Sequence, residues 1–444
     1  MSPRDDTRDA PREDPREAPP AEAASGGARP AAGLTRERLS QPEFVALMAM
    51  LFSTIAFSID AMLPALPEIA GELTPGATNR AQLIVTSFVL GMGLGTLVTG
   101  PLSDAVGRKP VILGGAALYM AGAGLAWAAQ SLELVLAARV IQGLGAAAPR
   151  VVAIAIIRDL YAGRGMARIM SFMMLIFTLV PALAPAMGAG IIWAAGWRGI
   201  FAAFLVFSAV GTAWLALRQA ETLPPDRRRP FRPAALAAGV REILSTRIVA
   251  LAIAAQALCF GMLFATLSSV QQVFDVAFGR GDSFYLWFGG IALIAGSGSL
   301  INASIVERLG MRAIVTTMLG AQIAASALAC ALFWSGAVRG ELAFAAYVAW
   351  TTGVFFQAGL TLGNLNALAM EPMGHLAGLT ASVAGSIATV LAVCLAVPIG
   401  LMFDGTPRPL MTGTLALAIG AFALMRMLRR VERSDPALAS AAVE

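Results

Sequence analysis

A chain of 444 residues that is 57% hydrophobic and 13% charged, with a mean hydropathy of +0.73, cannot be an ordinary water-soluble globule. Its net charge of +5 does not call for a nucleic-acid partner, because the surplus of arginine falls where a membrane topology places it. The composition describes a polytopic, all-α membrane protein.

Residues 1–42 contain seven Pro, seven Arg and eight acidic residues and no apolar core, which reads as a disordered cytoplasmic tail. It is not a secretory signal, since no apolar region follows its charged start. A bilayer-spanning helix needs about 20 apolar residues. Six such runs follow, at 44–64, 82–102, 110–129, 134–157, 167–194 and 199–217. The longest polar interruption then covers 218–247 with ETLPPDRRRPFRP at its centre, a linker on the cytoplasmic side. Six more runs follow at 248–270, 284–304, 312–333, 341–365, 376–402 and 409–428, before a tail at 429–444. The expected fold is therefore twelve transmembrane helices in two six-helix bundles, 43–217 and 248–428.

Arg and Lys collect on one side: Arg108, Lys109, Arg158, Arg164, seven residues between 218 and 247, and Arg429, Arg430 and Arg433. The opposite loops hold Arg80, Arg198, Arg280, Arg339 and Arg408. Both termini are therefore expected in the cytoplasm. Cys259, Cys330 and Cys394 fall inside spans without paired or metal-ligand spacing and read as small packing residues.

The turn between the second and third runs reads GPLSDAVGRKP, Gly100 to Pro110. Its Gly100, Leu102, Asp104, Gly107, Arg108 and Lys109 match the pattern G-x-L-x-D-x-x-G-R-K, and the turn resembles the signature loop of the major facilitator superfamily. A shift of 203 residues lays Asp104, Gly107 and Lys109 onto Glu307, Gly310 and Arg312, although Ala303 and Met311 replace Gly100 and Arg108. Two parallel halves with equivalent charged turns match the architecture such transporters use, with substrate and ions near the midplane.

Charges within spans cost roughly 2.5–3.5 kcal/mol each on insertion scales, so each one asks for a function or a partner. Asp60 near the outer end of span 1 and Arg139 near the outer end of span 4 lie at matching depths, within reach of each other across the first bundle. Asp60 is the candidate proton carrier, with Arg139 setting its affinity. The alternatives are a static ion pair, or a carboxylate at the interfacial water level. Arg150, eleven residues beyond Arg139, shares its helix face about 16.5 Å further in. It either binds a polar or anionic substrate group or hydrogen-bonds backbone exposed near Pro149.

Further motifs sharpen the resemblance to bacterial 12-span drug:proton antiporters of the bicyclomycin/chloramphenicol resistance type. Asp60, Leu63, Pro64, Ala65, Leu66 and Pro67 are similar to that group's Asp-x-x-Leu-Pro-Ala-Leu-Pro. Arg139, Gln142 and Gly143 match its span 4 motif, and Arg158 to Tyr161 the RDLY ending. In span 5, Pro181, Pro185, Gly188 and Gly190 remain of an antiporter motif whose first glycines are replaced. The segment from Leu362 to Val383 resembles one found in many drug-efflux members.

An inner latch that stabilises the outward-open state is expected on the cytoplasmic side, with Asp104 docked on the N-terminus of span 11 and Arg108 or Arg158 paired with Glu371. Gln142, Gln256, Gln357, Asn364 and Asn366 are candidate cavity residues, and Phe260, Phe264, Phe355 and Phe356 candidate apolar surface. The alternative for each is interhelical hydrogen bonding or lipid contact. His375, the single histidine, is expected to be a packing or hydrogen-bonding residue.

No phosphate loop, metal constellation or nucleophile with a base is present, so neither enzyme activity nor a cofactor is expected. The expected function is proton-coupled export of small organic compounds or drugs by a monomer in the bacterial inner membrane. Its partners are the small-molecule substrate, protons and lipid. Proton symport or uniport of a metabolite is one alternative, and a non-transporting receptor or scaffold another.

Overall fold

The computed structural model describes residues 39–434; the predicted tail 1–42 lies outside them except for its last four residues. Ser40 accepts a hydrogen bond from the Glu43 amide, and Pro42 sits in the first turn, so α1 (Gln41–Asp60) begins inside the predicted tail. The chain continues through α2 (Leu66–Leu73), α3 (Leu83–Val106), α4 (Arg108–Trp127), α5 (Leu132–Leu160) and α6 (Gly163–Arg218). Then come α7 (Pro233–Ser245), α8 (Arg247–Gln272), α9 (Phe284–Leu309), α10 (Met311–Trp334), α11 (Gly340–Met370), α12 (Ala377–Leu401) and α13 (Arg408–Ser434).

Among the described residues ten helical stretches are long and apolar enough to cross a membrane, and two of them hold two spans each. Within α6 the chain reverses at Gly196, whose φ of 66° interrupts the helix. A 3-10 turn, Glu371–Leu376, separates α11 from α12. Ten stretches with two doubled make the twelve spans of the expected fold. Every described element is helical, as lipid demands of a chain that must satisfy its own backbone.

Glycine lets the first six spans pack closely. A Cβ on Gly143 of α5 would lie 2.0 Å from the Phe88 carbonyl oxygen of α3, and one on Gly145 would lie 2.4 Å from the Gly115 carbonyl oxygen of α4. Such approaches replace the hydrophobic drive that lipid removes. The seam between the two sets of six is made by α3 against α12, where Gly93 touches Thr389, and by α6 against α9, where Gly289 meets the Ala182 carbonyl.

The two charged turns are built alike. Gly107 (φ 116°) and Gly310 (φ 76°) join α3 to α4 and α9 to α10. In the first turn, Glu221 beyond the end of α6 accepts from the amides of Arg108 (2.9 Å) and Lys109 (3.0 Å). Arg108 reaches Asp159 at the end of α5 (3.0 Å). In the second, Arg312 pairs with Glu432 near the end of α13 and with Glu371 after α11, both at 2.7 Å. The repeat weak in the sequence is thus clear in how each turn is tied to the two helix ends beside it.

Gly107→Ala is expected to destabilise the fold strongly. The substitution forces a side chain onto φ 116° and sets its Cβ 2.7 Å from Glu221 Oε2, displacing the carboxylate that caps α4. A lower melting temperature in detergent than that of Gly114→Ala, where the added Cβ meets nothing within 4 Å, checks this.

Three expectations are revised. Residues 218–247 are more than a linker, because α7 occupies much of them and seats Gly239 against Leu379 of α12. Its AALAAGVREIL pattern is masked in the sequence by the surrounding Pro and Arg. The predicted tail 429–444 starts as helix, with α13 running to Ser434 and residues 435–444 outside the described part. Cys259 is buried and Cys330 partly buried, but Cys394 is exposed on α12 and is not a packing residue.

Candidate functional site

Alternation of the spans puts the Gly107 and Gly310 turns, the ends of α5 and α6 and the turn after α11 at one end of the bundle. This end is rich in arginine. The start of α3, the end of α8 and the end of α12 lie at the opposite end.

Arg139 is completely buried in α5. Its Nη2 donates to the Ser58 carbonyl of α1 (3.0 Å), its Nε to the Ile84 carbonyl of α3 (3.2 Å), and its Nη1 to Gln142 Oε1 (2.6 Å). The guanidinium also lies 4.3 Å from the Phe88 ring centroid, a favourable cation–π distance. Ser58 Oγ is 2.6 Å from Tyr119 OH of α4. One arginine thereby ties three helices together through acceptors that carry no formal charge.

The expected meeting of Asp60 with Arg139 is absent. Arg139 holds the backbone of Ser58, and two residues further on is a rotation of about 200°, which carries the Asp60 side chain away from the face that meets Tyr119. Asp60 is 5% exposed, and among the described residues its carboxylate has no hydrogen bond or ion pair. Equal depth was readable from the sequence; rotation about α1 was not. Beside Asp60, Gly188 of the span 5 motif packs on Ala61, with a Cβ there falling 2.2 Å from its carbonyl oxygen. Six residues before Gly188, Ala182 touches the seam with α9. Pro181 and Pro185 are accommodated within α6, while Gly190 has open space beside it.

The other cavity candidates divide. Asn364 is engaged within its own half, donating to Asn302 Oδ1 (2.7 Å) and the Leu360 carbonyl (2.8 Å). Gln357 Nε2 donates to Thr361 Oγ1 (2.9 Å), but its Oε1 is buried without a partner, as are Gln256 Oε1 and Gln142 Nε2. Asn366 is half-buried. Phe260 and Phe264 stack in parallel, with centroids 5.4 Å apart, while Phe355 meets Phe288 edge-on. The α5 helix passes unbroken through Pro149, and Arg150 beyond it is half-buried.

At the arginine-rich end the latch expected of the outward-open state is not formed in this structure, whose opposite end is the one held shut. Arg108 binds Asp104, Ser103 and Asp159 within its own half. Glu371 binds Arg312 rather than Arg108 or Arg158. Asp104 faces Arg108 and does not cap α12. Lys109 Nζ caps α6, donating to the carbonyls of Ala216 (2.7 Å) and Gln219 (2.9 Å). Gly100 lies near Ser382 of α12, 3.4 Å from a built Cβ to the hydroxyl oxygen. His375 Nε2 is 2.9 Å from Glu242 Oε1 of α7, a hydrogen-bonding role.

The halves are instead clasped at the opposite end by uncharged groups. Asn79 donates to the carbonyls of Phe403 (2.7 Å) and Leu401 (3.3 Å). Gln82 donates to Gln272 and accepts from Ser269 (2.8 Å), and Gln272 donates back to Asn79 (2.7 Å). Sequence reasoning missed these four residues because neutral polar groups at span ends look like ordinary loop flanks. Each such bond is worth about 0.5–1.5 kcal/mol net, weak enough to open. Gln82→Leu is expected to loosen the clasp: spin labels on exposed Gly76 and Asp404 should show a larger long-distance population than in the parent chain. An unchanged distance distribution would contradict a gating role.

A family model described as Major Facilitator Superfamily matches residues 44–393. The chain is 28% identical over 371 residues to an uncharacterized MFS-type transporter, YdgK, of Bacillus subtilis, covering 80% of this chain and 87% of that one. It is 28% identical over 354 residues to a bicyclomycin resistance protein homolog of Haemophilus influenzae, covering 78% and 85%. A solved D-xylose-proton symporter superposes with a TM-score of 0.65 at 14% identity, covering 86% of this chain and 97% of that one. At that identity the likeness is one of fold.

Proposed function

Because this chain belongs to the Major Facilitator Superfamily, a family of transporters and not of enzymes, we propose that it is a proton-coupled exporter of small organic compounds, with Asp60 as the proton carrier. The observation that carries this reading is the Asp60 carboxylate, buried in a membrane span with no hydrogen bond or ion pair among the described residues. Left charged there it is costly, so its protonation follows its access to water. A change of access between two conformations loads and unloads it. Arg139 acts by positioning: it grips the Ser58 carbonyl and so fixes the segment of α1 that bears the carboxylate.

Gly188 on Ala61 and Ala182 on the seam with α9 supply a rigid route from the Asp60 region to the contact between halves, which suits obligatory exchange. The similarity to a bicyclomycin resistance protein homolog supports drugs as cargo. In this reading the protein works as a monomer in the bacterial inner membrane. The arginine-rich end faces the cytoplasm, and the clasp at Asn79, Gln82, Ser269 and Gln272 closes the outer mouth.

The test is proton flux in proteoliposomes. Adding chloramphenicol or bicyclomycin to one side should drive protons to the opposite direction from the drug, with no such movement in empty vesicles. Co-movement of proton and drug would replace export with symport. Drug movement without proton movement would remove the coupling altogether.

A further inference from the structure

Arg150 is an interior cation whose charge no carboxylate or oxygen acceptor answers among the described residues. Arg150 lies ten residues from the end of α5 at Leu160, about 15 Å inside the arginine-rich end at 1.5 Å per residue. It is half-buried. Its guanidinium makes one hydrogen bond, from Nη1 to Met92 Sδ at 3.8 Å, and a thioether is a weak acceptor. Among the described residues no carboxylate lies within ion-pair distance of it, and it makes no bond to the backbone around Pro149.

Arg139, on the same helix, sets the contrast. Its donors are used on three oxygens and its face lies over Phe88, and it is fully buried. Arg139 is a strut. Arg150 is partly exposed where Arg139 is fully buried, and in place of those three oxygens it has only the weak Met92 contact.

Its position is next to the seam between the halves. Met92 belongs to α3, and the following residue, Gly93, touches Thr389 and Val390 of α12 across the seam. On α12, Ser386 and Thr389 are buried, and Thr380 Oγ1 has no partner. The flexible thioether of Met92 offers an apolar surface that adapts to different shapes.

We propose that Arg150 is the anchor for an anionic group on the transported compound, a carboxylate or similar planar oxyanion carried on an apolar body. This rests on the reading of the chain as a carrier. A guanidinium presents its donors as a fork that matches a carboxylate with two parallel bonds. The compound supplies the counter-ion that the protein omits, so the site prefers an occupied state over an empty one. Cations and neutral compounds gain nothing from the fork.

The test compares planar aromatic carboxylates with the matching primary amides, starting with 2-naphthoate and 2-naphthamide, by binding to the full chain in detergent. The intact protein should bind the carboxylates at least tenfold more tightly than the amides. Arg150→Gln should erase that preference, and Arg150→Lys should keep part of it, since charge remains without the fork. The melting temperature of Arg150→Gln should equal or exceed the parent's, because an unpaired interior cation has been removed. Equal affinity for acid and amide in the intact protein, a preference surviving in Arg150→Gln, or a markedly lower melting temperature in that variant would each overturn the proposal. Ligand-driven proton exchange by the unaltered protein separates the two readings: exchange driven by chloramphenicol together with no carboxylate preference sinks the anchor alone, and no exchange with either chloramphenicol or 2-naphthoate sinks the carrier.

Discussion

Asp60→Asn is expected to abolish uphill transport while leaving drug-for-drug exchange across the membrane intact. Asn is close in shape to a protonated Asp and cannot release a proton, so the variant mimics a carrier loaded permanently on one side of its cycle. Asp60 is 5% exposed and unpartnered, so the substitution removes no contact on which folding depends, and the melting temperature should stay level or rise. With one proton exchanged per drug, a pH difference of one unit sustains an accumulation ratio of about tenfold, since one pKa unit equals 1.36 kcal/mol. In Asp60→Asn vesicles that ratio should fall to unity, and counterflow of labelled chloramphenicol should continue. A variant that still accumulates drug would remove Asp60 from the coupling step.

Arg139→Leu should instead fail as a folded protein. Leucine abandons the Ser58 carbonyl and Gln142 Oε1, both on fully buried residues, while the Ile84 carbonyl keeps its bond from the Ser87 hydroxyl. Each buried acceptor left unpaired costs about 1–3 kcal/mol, so the sum is a large part of the 5–15 kcal/mol typical of a domain. Arg139→Lys keeps the charge but cannot reach three acceptors on three sides, so it should recover only part of the loss. Gel filtration and thermal unfolding in detergent measure both. A stable Arg139→Leu that lost only proton coupling would make Arg139 a partner in the chemistry and not a strut.

These two expectations differ because of one feature that the sequence could not display. Depth in the membrane follows from counting residues, and Asp60 and Arg139 do lie near the same end of their helices. Rotation depends on which side of α1 packs inward, and that is decided by Ser58 meeting Tyr119, neither of which is a fixed position of any motif. The twelve spans were legible because lipid forces long apolar runs. The Gly107 turn was legible because a positive φ selects glycine. The partners of that turn were not: Arg108 chose Asp159 over Glu371, and Glu221, in a segment read as linker, caps α4. The clasp of Asn79, Gln82, Ser269 and Gln272 was invisible because amides and hydroxyls give no charge signal. Helix α7 was hidden by the prolines and arginines before it.

In the proposed cycle the buried Asp60 carboxylate, unpartnered among the described residues, exchanges its proton for cargo. The most direct measurement needs no membrane: add chloramphenicol to the purified protein in weakly buffered detergent and follow a pH indicator. The intact protein should release close to one proton per drug bound, and Asp60→Asn should bind the drug and release none. Equal proton release from both proteins would contradict it.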